Sequence, residues 1–133
     1  MNLKLVFRIF GGLNMLTGGF ALFATKAMLE SAGLTVTSEM ITIGQGFAIT
    51  AIALGLVSWR TADIAGDALP AYGQLFGIAQ LLQIALIVYH LITGQAGGPP
   101  VYINLVVGIV LAALFYFYSQ QEDNIVINSN EEE

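Results

Sequence analysis

The sequence predicts an all-α integral membrane protein, a bundle of four transmembrane helices, and three observations predict it. First, the 133 residues are 56% hydrophobic and 10% charged, against roughly 25% charge in soluble chains, and mean hydropathy is +0.78. Second, the four Lys/Arg and nine Asp/Glu leave long uncharged gaps: 17 residues between Arg8 and Lys26, 20 between Glu39 and Arg60, and 54 between Asp67 and Glu122. A hydrocarbon core of about 30 Å takes about 20 apolar helical residues to cross, so the gaps fit one, one and two crossings. Third, the apolar runs lack the period-two alternation of a barrel, the other fold that satisfies its backbone hydrogen bonds in lipid. Such a composition excludes a soluble enzyme, a nucleic-acid binder and a disordered chain.

The first crossing is expected at residues 5–25. Lys4 and Arg8 precede it as in a signal peptide, but Gly11, Gly12, Gly18 and Gly19 interrupt the run. No small-x-small cleavage site follows, so it reads as a retained span. Loop 26–39 is partly apolar and suited to the membrane interface. Ser38 or Thr37 can cap the second helix, at 40–59, which ends in Trp59-Arg60. A loop at 60–67 leads to a third helix at 68–93. The glycines and paired prolines of residues 94–100 then favour a turn, with Pro99-Pro100 opening the fourth helix, 101–120. Residues 1–120 thus form one transmembrane domain. Residues 121–133 form an acidic tail ending in Glu131-Glu132-Glu133, and five of the nine acids lie there, so the net charge of −5 mostly describes that tail.

Short loops set orientation through Lys and Arg. One side holds Lys4, Arg8 and Arg60 and the other only Lys26, which predicts cytoplasmic termini in a bacterial inner membrane. Trp59, Tyr116 and Tyr118 at one surface, and Tyr89 and Tyr102 at the other, agree with the helix ends, because amphipathic rings favour membrane–water interfaces.

Small residues mark helix faces. Gly44, Ala48, Ala51 and Gly55 form a stripe on the second helix, Gly73 and Gly77 a GxxxG on the third, and Asn104, Gly108 and Ala112 a stripe on the fourth. Gly11 and Gly18 form a shorter one on the first. In lipid, close backbone approach over such residues supplies much of the helix association. The stripes are read first as packing within the bundle. The alternative makes one of them, that of the second helix, a protomer–protomer surface.

Intramembrane charge, the usual mark of ion pathways, is missing from the middle of every span. Amides, hydroxyls and one imidazole carry the polarity. Gln45, Gln83, His90, Tyr102 and Asn104 fall in the half-membrane remote from the termini, with Asn14 and Gln80 near the midplane. Gln83 and His90, seven apart, share a helix face. This set is read either as interhelical hydrogen bonding or as a ligand pocket for a lipid or quinone. His90, the single histidine, is read as a structural or surface group, or as a headgroup contact. The chain has no Cys, no metal-ligand spacing, no P-loop and no nucleophile–base–acid set. No catalytic residue, metal or built-in cofactor is therefore expected.

The layout resembles the DoxX-like group of small four-helix membrane proteins. The resemblance rests on Arg8 followed by Gly11-Gly12 and Gly18-Gly19, and on Ala32-Gly33-Leu34 in the first loop. A Gly44…Gly46…Gly55 span ending in Trp59-Arg60 and the hinge at 94–100 complete it, covering about residues 3–120. The Arg that those relatives often carry early in the second helix is replaced by the region of Thr42 and Gln45. The resemblance implies membrane subunits linked to quinone oxidation in some members. The expected role is a non-enzymatic homo-oligomer or accessory subunit of a membrane complex, with the lipid bilayer and other membrane subunits as partners and no nucleic acid. The alternatives are a lipid, quinone or small-molecule binder (or passive permeation protein) using the remote polar set, and a subunit of a quinone-linked oxidoreductase.

Overall fold

The computed structural model describes residues 2–131, with side chains through Gln121. Helix α1 (Leu3–Phe23) is followed by a short α2 (Thr25–Ser31), then α3 (Ser38–Ile64), α4 (Leu69–Thr93) and α5 (Pro99–Glu131). One 3-10 turn, Gly66–Ala68, joins α3 to α4, and there is no strand among the described residues. Four stretches are long and apolar enough to cross a membrane: Leu3–Phe23, Ser38–Ile64, Gly66–Thr93 and Pro99–Gln121. The chain is an all-α integral membrane bundle.

Local chemistry sets the helix ends. Asn2 caps α1, its side chain accepting from the Leu5 N–H at 3.0 Å. Thr37, one of the two expected residues, caps α3 by accepting from Met40 N–H at 3.3 Å. Gly94 ends α4 at φ 68°, a left-handed conformation that glycine adopts without a side-chain clash. Pro99 opens α5, where its missing N–H costs nothing. Loop 26–39 is not wholly irregular, since α2 occupies its first part. The third crossing matches its expected bounds within one residue, whereas the second helix runs five residues beyond Trp59. The polar segment after 120 continues α5 to Glu131; Glu132 and Glu133, the end of the expected tail, lie outside the described residues.

The crossings pack as two antiparallel pairs, α1 with α3 and α4 with α5. A methyl placed on Gly11 would lie 2.7 Å from the Gly55 carbonyl oxygen, and one on Gly55 would lie 2.7 Å from the Gly11 carbonyl oxygen. One turn-pair further along, a methyl on Gly18 would meet the Ala48 carbonyl at 2.7 Å. Only the absence of a side chain at Gly11, Gly18 and Gly55 lets these backbones touch. In the second pair, Gly73 faces Ser119, Gly77 faces Phe115, and Gly108 faces Ile84.

The pairs join chiefly at the end that carries the start of α1 and the end of α5. Leu3, Val6, Phe7, Phe10, Ala62, Leu69, Leu111 and Phe115 form a buried cluster there. Phe7 and Phe10 meet Phe76 and Phe115 edge-on, with centroids 5.0–5.6 Å apart, the arrangement that ring quadrupoles favour. At the opposite end the Gly97 N–H donates to the Ala32 carbonyl at 3.0 Å, tying the α4–α5 turn to the end of α2.

Candidate functional site

Lipid offers no hydrogen bonds, so each polar side chain in a crossing must find a partner in the protein. The hydroxyls mostly find it on their own helix. Thr42 donates to the Ser38 carbonyl, Thr50 to Gly46, Thr61 to Val57 and Thr93 to Tyr89. Among the described residues two side chains reach across. Ser58, fully buried, donates to the Phe7 carbonyl at 2.9 Å. Arg8 donates to Asp63 at 2.9 Å, and Arg60 lies 3.8 Å from the same carboxylate. Both exchanges join α1 to α3 near the aromatic cluster.

The polar set expected to form a pocket is dispersed along four helices, and four of its seven members are exposed. Asn14 is half-buried and turns back on α1, donating to the Phe10 carbonyl at 2.9 Å. Gln45 on α3, Gln83 on α4, and Tyr102 and Asn104 on α5 are exposed. Gln80 is half-buried and lies over α5, its Oε1 3.7 Å from where a methyl on Gly108 would sit. The His90 ring is half-buried and packs at 5.8 Å from that of its neighbour Tyr89. Among the described residues no side-chain hydrogen bond joins any of these seven to another, so the interhelical bonding read from the sequence is not made within this chain.

Depth makes one of them distinctive. Residue 81 is the midpoint of α4 (Leu69–Thr93), so Gln83 stands two residues from the centre of that helix with its amide exposed. Among the described residues that amide has no hydrogen-bond partner.

The small-residue stripe of α3 faces inward. Gly44 abuts Thr25 of α2, Ala48 and Gly55 abut α1, and Ala51 is half-buried between them. The face of α3 considered as a protomer–protomer surface is therefore already covered by α1 and α2. Gly12, Gly19 and Gly46 are less enclosed; a methyl on Gly19 or Gly46 would meet nothing within 4 Å.

Comparison with family models, with curated proteins and with solved structures finds no match to this chain.

A feature that the sequence reading passed over lies on the outer side of the α4–α5 pair. Gly77 and Ala112 form the floor of a furrow of about 700 Å³, with Ile78, Leu81, Ile84 and Ile109 as its walls. Gln74, Tyr116 and Gln120 gather at one end. Gln74 was visible as an amide in the third span, but no sequence spacing links it to Gln120 on another helix. Ser58 and the four phenylalanines were also missed, because an apolar run does not mark which ring faces lipid. For metal binding, no three of His, Asp or Glu come together among the described residues.

Proposed function

We propose that the protein acts through association in the membrane, as a homo-oligomer or as an accessory subunit of a larger membrane complex, without catalytic chemistry of its own. The observation that carries this reading is the exposed Gln83 amide beside the centre of α4. An amide without a partner in hydrocarbon costs several kcal/mol, and a polar group on a second transmembrane helix removes that cost. Exposed Gln45 and Asn104 extend the same argument to α3 and α5. The α3 stripe is already covered by α1 and α2, which directs the reading toward these amides as the association surface.

The experiment is to count subunits of the full chain in lipid vesicles by stepwise photobleaching, for the natural sequence and for Gln83→Leu. An interhelical hydrogen bond in a membrane contributes roughly 0.6–2 kcal/mol, so Gln83→Leu should weaken association by about 3- to 30-fold. Because Gln83 is exposed, the monomer should stay folded. A strictly monomeric protein that purifies with no companion, or an association unchanged by Gln83→Leu, refutes the proposal. Companions identified in native purification separate its forms: a flavin or haem protein would favour the quinone-linked subunit that the DoxX-like resemblance implies. Quinone held near Gln83, His90 and Asn104 would favour the binding alternative.

The same reading places both termini in the cytoplasm of a bacterial inner membrane, supported by Lys4, Arg8 and Arg60 on one face against Lys26 on the other. Reporter fusions at residue 133 and in the 32–36 loop should report opposite compartments, the first cytoplasmic.

A further inference from the structure

We infer that the α4–α5 furrow is a site for one acyl chain of a membrane phospholipid, with the lipid's polar region held by Gln74, Tyr116 and Gln120. Its length comes first. From Gln74 to Ile84 is ten helical residues, about 15 Å at 1.5 Å per residue. That is about half of a hydrocarbon core of about 30 Å. The lining runs from Gln120 to Ile109 on α5 and from Gln74 to Ile84 on α4, ending three residues beyond the middle of α4, so most of the furrow lies in one leaflet. An acyl chain, which belongs to one leaflet, matches that length.

Polarity gives the second argument. The three polar side chains gather at the end where the sequence of α5 turns polar, at Ser119-Gln120-Gln121 ahead of Glu122. The remainder of the furrow is walled by Ile78, Leu81, Ile84 and Ile109. A phospholipid has the same gradient, with ester and phosphate oxygens at the surface and methylenes below. All three polar residues are exposed, and their amide N–H and hydroxyl groups have no hydrogen-bond partner among the described residues. They can donate to lipid oxygens without breaking a bond in the protein. The volume of about 700 Å³ lies within the roughly 300–1,000 Å³ of small-molecule sites. This site is separate from the Gln83 surface and stands whether or not the protein oligomerises.

The test is native mass spectrometry of the full chain released from nanodiscs of dioleoylphosphatidylcholine. One lipid per chain should survive collisional activation that strips the others. Ala113 lines the furrow and is exposed, so Ala113→Phe should fill it without entering the core and lower the retained fraction by about tenfold or more. Val110→Phe, exposed on the same helix outside the furrow, should leave retention unchanged. Gln74→Leu combined with Gln120→Leu should lower retention by at least about threefold, and this pair serves if Ala113→Phe does not fold. Equal retention in the natural chain, the furrow variants and Val110→Phe overturns the inference. So does a lipid-free dimer that Ala113→Phe splits, because a second copy would then occupy the furrow.

Discussion

Replacing Gly55 by Ala is expected to destabilise the bundle although it improves the helix propensity of α3. The new methyl would lie 2.7 Å from the Gly11 carbonyl oxygen, 2.7 Å from Met15 Cγ and 2.9 Å from the Met15 nitrogen. Two of these three neighbours are backbone of α1, so no side-chain rotation relieves the overlap. The helices must separate by about 0.5–1 Å, and a gap of that size forfeits a quarter to a half of each van der Waals contact along it. Small-to-large changes in packed sites cost about 1–3 kcal/mol, while Ala in place of Gly inside a helix returns about 0.8–1 kcal/mol. The net expectation is a loss of up to about 2 kcal/mol.

Gly46→Ala is the matched control. It lies on the same helix, but its methyl would meet nothing within 4 Å, so only the propensity gain remains. The two variants should differ by the overlap cost alone, about 1–3 kcal/mol, a factor of about 5–150 in the folded-to-unfolded ratio. Equilibrium unfolding of the full chain in mixed micelles, followed by circular dichroism, measures it. Gly11→Ala should resemble Gly55→Ala, and the double variant should cost less than the sum, because one separation of α1 from α3 relieves both clashes. Equal stability of Gly55→Ala and Gly46→Ala would refute the close-approach argument.

Three further outcomes follow from the same packing. Phe115→Ala empties the centre of the aromatic cluster; for ~100 Å³ removed at about 24 cal/mol per Å³, the cavity costs about 2–3 kcal/mol, read by the same unfolding assay. Ser58→Ala removes the buried hydroxyl that donates to the Phe7 carbonyl and should cost about 0.6–1.7 kcal/mol, with Ser58→Thr unable to rescue it if the extra methyl finds no room. Asp63→Asn releases Arg8 and Arg60, whose side chains are 47% and 68% exposed; the loss should stay below about 1 kcal/mol and shrink as salt is added.

The number and place of the crossings were legible because charge is excluded from lipid: gaps between Arg8, Lys26, Glu39, Arg60, Asp67 and Glu122 trace the spans directly. Ends were legible where a single residue decides them, as at Thr37, Gly94 and Pro99. They were less so where polarity was taken as the end of a helix. Beyond Trp59, Thr61 and Ala62 stay buried and Asp63 pairs with Arg8, so α3 continues into polar sequence. Gln120 and Gln121 are good helix formers and equally do not stop α5. Inter-helix geometry was the least legible. Periodicity shows that Gly44, Ala48 and Gly55 share a face, but not that α1 covers it. It also gives no hint that Gln74 and Gln120 meet at one end of a furrow, since their proximity depends on the register of α4 against α5.

Packing and polarity are distributed unequally through the bundle, and the inequality bears on how it works. Toward the terminal end, α1 is held to α3 by Gly11, Gly55, Ser58 and the Arg8–Asp63 pair, and to the other pair by interlocked phenylalanines. Those interactions hold that half together within the chain. The remote half has one backbone bond from Gly97 to Ala32 joining its loops, while Gln45, Gln83, Tyr102 and Asn104 face outward. A chain selected only to fold alone in lipid would gain stability by exchanging an outward amide at the middle of α4 for leucine. Retaining Gln83 there makes sense if the amide is satisfied in the assembled state. The same logic predicts the sign of a single measurement: Gln83→Leu should stabilise the isolated monomer in micelles while weakening its association in vesicles. Loss of monomer stability on that substitution would mean that Gln83 is bonded within the chain, and the case for a partner at this face would fall.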